Sequence, residues 1–140
     1  MPDALYRVLS IAREKSWCIQ IHTGNRGDVN ENQISGYLPF CKKFSTVKFD
    51  LAHGKPFDEI NQAVNEHDNI YVDCAYCTVD VVQQWLDNGA REERILFGSD
   101  IPVQQRLLDI SLTSYLRSIL KNFSSEMILS HNFQKFLCKK

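Results

Sequence analysis

The sequence predicts an α/β fold in which four short parallel strands carry helices, and three observations predict it. Apolar runs of strand length alternate with stretches of helical periodicity along the whole chain. The units recur at roughly the 30-residue scale of a strand-helix-strand crossover, which makes the sheet parallel. No low-complexity segment or linker interrupts the 140 residues, so residues 1–140 read as one domain. Spacing alone does not separate an open doubly wound sheet from part of a closed barrel.

Residues 3–16 read as a helix with Leu5, Val8, Leu9 and Ala12 on one face. The run Trp17-Cys18-Ile19-Gln20-Ile21 reads as a strand closed by a polar tip at His22, Thr23 and Gly24. Residues 25–32 have loop composition, and Gly36 and Pro39 weaken a helix over 34–44. A second strand covers 47–52 and stops at His53-Gly54. Pro56 suits a helix start, and Phe57, Ile60 and Val64 carry that helix to about His67. Residues 70–73 form a third strand, and a helix over 79–87 turns Val82 and Leu86 inward before Asn88-Gly89 stops it. The fourth strand is Ile95-Leu96-Phe97, after which the chain turns polar at Ser99 and Asp100, with Pro102 barring further pairing. A long helix over 104–121, a short one capped by Ser124 or Ser125 and reaching Leu129, and a last apolar face at Phe133, Phe136 and Leu137 complete the reading.

Composition excludes several classes. With 16 basic and 17 acidic residues the formal charge is -1, so no nucleic-acid footprint or membrane-surface patch is expected. No apolar run approaches the roughly 20 residues of a membrane span, and the first residues lack a signal-peptide core, which predicts a cytoplasmic protein. Five scattered cysteines read as reduced thiols. Cys74-Ala75-Tyr76-Cys77 has the spacing of a redox or zinc pair, yet no second closely spaced pair exists for a structural zinc site, so packing is the simpler reading.

Three of the four strands end on a residue able to bind a metal or move a proton: His22, His53 and Asp100. In a parallel sheet all strand ends point one way, so the three side chains gather at one rim. Two neutral imidazoles and a carboxylate suit a divalent ion such as zinc, whose bound water is acidic enough to attack near neutral pH. Asp100 on its own reads equally well as the cap of the helix that follows.

At these positions the sequence resembles a family. Ile19-Gln20-Ile21-His22-Thr23-Gly24, Leu51-Ala52-His53-Gly54 and Ile95-Leu96-Phe97-Gly98-Ser99-Asp100-Ile101-Pro102 resemble the fifth-, sixth- and eighth-strand signatures of the amidohydrolase superfamily. The similar branch is the amidohydrolase-related group that includes aminocarboxymuconate-semialdehyde decarboxylase and metal-dependent hydrolases. Residues 127–137, where an Asn precedes an apolar stretch, are similar to that group's last helix. The resemblance implies that the four strands are the C-terminal half of a TIM-type barrel with helices outside. It implies His22 and Asp100 as metal ligands, Asp100 as the group taking the proton from the metal-bound water, and His53 as the residue that positions water or substrate and joins the ligands when a second metal is present. Residues 70–73 would be the seventh strand, where substrate contacts vary.

The same resemblance implies a deficit. The family's first strand supplies two ligands from a His-x-His pair, and none occurs in these 140 residues. His67 and His131 read as packed or solvated rather than as substitutes. A complete barrel needs about 250 residues and eight strands. The chain is therefore expected to hold zinc weakly or not at all by itself, and to pair with a second copy or with a separately supplied first half. A non-catalytic, partner-binding α/β module is the other reading. The substrate is a small molecule whose identity the sequence leaves open, and Arg26 and Lys55, in the loops after His22 and His53, are candidates to meet an anionic one.

Overall fold

The computed structural model describes residues 2–24, 33–54, 57–98, 111–122 and 126–137. Among these, four strands form one parallel sheet in the order β1-β2-β3-β4. They are β1 (Ile19–His22), β2 (Phe49–Ala52), β3 (Ile70–Asp73) and β4 (Ile95–Leu96). Each new strand is added beside the last without reversal. A doubly wound sheet reverses direction at a switch point, whereas a barrel does not, so the order settles what spacing left open.

The connecting helices are α1 (Pro2–Lys15), α2 (Ile34–Lys43), α3 (Ile60–Glu66), α4 (Val79–Asp87) and α5 (Leu112–Asn122). Register explains which strand residues meet them. Ile19 pairs with Phe49 and Phe49 with Ile70, while Ile21, Leu51, Val72 and Ile95 align one step along. Alternation sends all of these to one face, where they join Leu9, Ile34, Val64, Val82 and Trp85 in the main core. The other face carries Gln20, His22, Asp50, Ala52, Tyr71, Asp73 and Leu96 by the same parity.

Local conflicts in the sequence are resolved by burial. Pro39 removes a ladder bond inside α2, and the helix persists because Ile34 and Cys41 are fully buried and Tyr6 of α1 packs on Phe40 and Phe44 at ring distances of 5.6 and 6.0 Å. Asn69 donates to the carbonyls of Cys41, Phe44 and Val47, satisfying the turn that leads into β2. The N-cap of α4 is Thr78, whose hydroxyl accepts from the Val81 amide.

Several expectations need correction at the residue level. Val8 is 53% exposed, so the buried face of α1 is carried by Leu9 and Ala12. In α4 it is Trp85, not Leu86, that is fully inside beside Val82. Trp17, expected to open the first strand, is 57% exposed, and the strand starts at Ile19. The long helix expected over 104–121 is described only from Leu112, and the expected short helix appears as a π-helical turn, Met127–His131, running directly into α6 (Asn132–Leu137).

The last segment has a defined place. The Asn132 amide donates to the carbonyls of Glu92 and Ile95, and the Phe97 amide donates to the Ile128 carbonyl, which ties the segment to β4. Phe136 packs on Tyr71 at 5.2 Å and on Leu96, the Cys18 thiol donates to the Phe136 carbonyl, and the Lys48 ammonium donates to that of Lys135. Cys18 and Lys48 immediately precede β1 and β2, so α6 covers the inner face at the strands' N-terminal end. On the inner face, Tyr71 and Leu96 are thus covered from within the chain. Among the described residues no helix is long and apolar enough to cross a membrane.

Candidate functional site

The C-terminal ends of β1, β2 and β3 carry the candidate site. His22 ends β1 on the inner face and is exposed. A strand continued through His53 would aim that residue at the helices, since Ala52 already faces inward. Instead the chain leaves the extended region there, with φ +74 at His53 and +52 at Gly54. Gly54 is obligatory for packing as well as for backbone angle: a Cβ would stand 2.6 Å from Trp85 and 2.9 Å from Val72. The imidazole of His53 turns to the rim, where its Nε2 lies 3.0 Å from Nδ1 of His22 with the rings edge-to-face. Tyr76, also at positive φ, sets its ring edge-to-face against His53 at 4.9 Å.

Asp73 holds this arrangement. Its Oδ1 accepts the His53 backbone amide at 2.9 Å and the Ala75 amide at 3.0 Å, so one carboxylate ties the end of β2 to the turn after β3. Gly98, after β4, makes room for it: a Cβ there would stand 2.8 Å from Cγ and Oδ1 of Asp73. One register step below, Gln20 donates to Oδ2 of Asp50 at 2.8 Å. Asp50 and Asp73 are 2% and 6% exposed. Burial raises the Asp50 carboxyl to about 7, with the charge of Asp73 adding to the rise and Gln20 offsetting part of it. The Asp73 carboxyl is raised by burial too, against the pull of its backbone donors and the two histidines.

These groups line one cavity of about 200 Å³, walled by Gln20, His22, Asp50, His53 and Asp73 on the polar side and by Ala52, Ala75, Phe97 and Phe133 on the apolar side. Of the sequence-predicted residues, the structure brings His22 and His53 together; Asp100, Arg26 and Lys55 lie outside the described residues. His67 sits half-buried at the C-cap of α3 and His131 is exposed, both away from the cavity. Cys74 and Cys77 are fully buried, burial holds the Cys74 thiol up at about 11, and the pair precedes α4 rather than opening it. That environment keeps Cys74 a thiol and opposes the redox reading of the pair.

Sequence reasoning missed Gln20, Asp50 and Asp73 as site residues. Their signal is parity: each sits an even number of positions from a residue facing the inner side, and Asp50 interrupts an otherwise apolar strand.

A metal fits the histidine pair in donor chemistry, since imidazole nitrogens are preferred zinc ligands and two tetrahedral positions on zinc stand about 3.3 Å apart. Among the described residues no group of three or more His, Cys, Asp or Glu side chains is arranged to hold an ion.

No protein-family description and no curated protein matches the sequence. Solved structures do match the fold. Amidohydrolase 2 from Bifidobacterium longum subsp. infantis superposes with a TM-score of 0.71 and 14% identity, over 91% of this chain and 52% of its own. An uncharacterized TIM-barrel protein, Bb4693 from Bordetella bronchiseptica, gives 0.69 and 16%, over 94% of this chain and 49% of its own. The chain spans about half the length of the structures it matches. In fold, the described residues form half of a (β/α) barrel, similar to the matching half of each of those two structures.

Proposed function

We propose that this chain is the part of a metal-dependent hydrolase that carries the fifth-, sixth- and eighth-strand ligands, acting on an amide, ester or similar bond of a small molecule. The observation that carries the reading is the meeting of His22 and His53 at 3.0 Å across two neighbouring strand ends, on the rim where barrels place their chemistry. His22, His53 and Asp100 would hold a divalent ion, zinc being the one the donors suit, and the ion would supply an activated water. His53 is oriented for this by its backbone bond to Asp73 and by the ring of Tyr76. Asp100 is the proposed base, taking the proton of the attacking water and delivering it to the leaving group. The reduced, buried thiols Cys41 and Cys74 suit a cytoplasmic setting.

The reading includes a partner. Strands β1 and β4 have one sheet neighbour each among the described residues, and Val8, Ile11 and Trp17, in the segment that leads into β1, are exposed apolar side chains. A second copy, or the four units that complete a barrel, would cover them. Sedimentation velocity at micromolar concentration tests this, and a stable monomer with no self-association counts against the second copy.

The metal reading is tested by elemental analysis and zinc titration of the purified chain beside His22→Ala, His53→Ala and Asp100→Ala. Binding by the parent that each substitution weakens supports the reading. Absence of binding by every form leaves the non-catalytic module for this chain on its own.

A further inference from the structure

The rim histidines leave the deeper half of the cavity unexplained. Two carboxylates, 2% and 6% exposed, lie in it side by side. Gln20 serves Oδ2 of Asp50 and the backbone amide of Asp73 faces the same carboxyl, while Oδ1 of Asp50 is buried and meets no donor at full hydrogen-bond geometry among the described residues. No Lys or Arg lines the cavity among those residues, and the described Arg ion pairs join Arg91 and Arg94 to Asp68 instead. Asp73 is offset by its two backbone donors and the nearby histidines, whereas Asp50 draws no cationic side chain among the described residues, and a cation reaching it would complete the pair.

We propose that the Asp50–Asp73 end of the cavity is a recognition site for a protonated nitrogen group, a guanidinium or a primary ammonium. A guanidinium offers five N–H donors in a plane and can serve two carboxylates at once; an ammonium offers three. The remaining walls suit an organic cation. Phe97 and Phe133 present aromatic rings, and Ala52 and Ala75 leave space for carbon. A hard divalent ion would want six or more oxygen ligands, which this half-apolar wall does not offer. An anionic group is repelled by both carboxylates.

The group comes either from a diffusing small molecule, which would then lie beneath the His22–His53 pair, or from a basic side chain of the units that complete the barrel. Only the first source rests on the hydrolase reading. The site itself is independent of metal, and its test is run with a chelator present, so its failure and that of the metal reading are separate results.

Calorimetric titration of the full chain with agmatine and with methylguanidinium, in EDTA, tests the site, with glutarate as the anionic control. Saturable 1:1 binding of the cations is expected, weakened ~10-fold or more in Asp50→Asn through loss of a charge-assisted hydrogen bond. Gln20→Lys is a second variant at an exposed position whose amide already reaches Asp50. It supplies an ammonium from within, so it should raise the melting temperature and abolish agmatine binding. Micromolar affinity for agmatine identifies a diffusing ligand. Millimolar affinity for both cations identifies a site built for a tethered side chain, whose effective concentration is of that order. No heat from either cation, equal binding of glutarate, or cation binding unchanged by Asp50→Asn or Gln20→Lys overturns the proposal.

Discussion

Gly98→Ala probes the part of the site that depends on the least visible residue. The added methyl would stand 2.8 Å from both Cγ and Oδ1 of Asp73 and 3.1 Å from Cβ of Ala75. Carbon and oxygen atoms in contact need roughly 3.5 Å, so something must yield. The backbone of the following residues can shift, at the overpacking cost of about 1–3 kcal/mol. Alternatively the Asp73 carboxylate rotates away and gives up its bonds to the His53 and Ala75 amides, at about 1.5–3 kcal/mol for a hydrogen bond to a charged group. The cheaper route sets the loss, about 1–3 kcal/mol. With a urea m-value near 2 kcal/mol/M, the unfolding midpoint falls by about 0.5–1.5 M. Urea unfolding followed by tryptophan fluorescence measures the loss, and ring ¹⁵N NMR reads the contact between His22 and His53. A double-mutant cycle supplies the refutation. If the clash is with the carboxylate, Gly98→Ala costs little in an Asp73→Ala background; an equal cost in both backgrounds would show that Asp73 is not what Gly98 accommodates.

Three more outcomes follow from the same geometry. Gly54→Ala meets Trp85 at 2.6 Å at a φ of +52, and should destabilise by about 2–4 kcal/mol from overpacking plus left-handed backbone cost, seen as a lower urea midpoint that Trp85→Leu partly restores. Asp50, at about 7 in the folded chain against 3.8 unfolded, binds its proton more tightly when folded, so its contribution is complete below pH 3.8 and is lost as pH rises through 7. Melting temperatures should therefore decline from pH 5 to pH 8, and Asp50→Asn should flatten that decline; a profile identical in both proteins would remove Asp50 as its source. Asn132→Ala strands the Glu92 and Ile95 carbonyls, costing about 1–3 kcal/mol and raising amide exchange across 127–137 ahead of the rest of the chain.

The first prediction also shows where sequence reading stops. His22 and His53 were legible because each follows an apolar run and all ends of a parallel sheet share a rim. Asp73 was legible only as the end of a strand. Its role comes from Gly98 and from two backbone amides, one of them 20 positions away, and nothing in the local pattern at residue 73 signals either. Val8 and Trp17 were misplaced for a related reason. Helical and strand spacing name a face, but what packs against that face is settled by neighbours distant in sequence, and the described chain sets nothing against those two side chains beyond partial contact.

What the sequence by itself determined is the alternation of elements, the parallel sheet and the polar residues at the strand ends, because periodicity and turn chemistry are local. Only the tertiary structure decided the sequential strand order that makes the sheet part of a barrel. The left-handed turn that brings His53 onto His22, and the burial of Asp50 beside Asp73, belong to it as well. These depend on register between strands some twenty to thirty residues apart, and a one-residue slip in any pairing would send the same side chains to the opposite face.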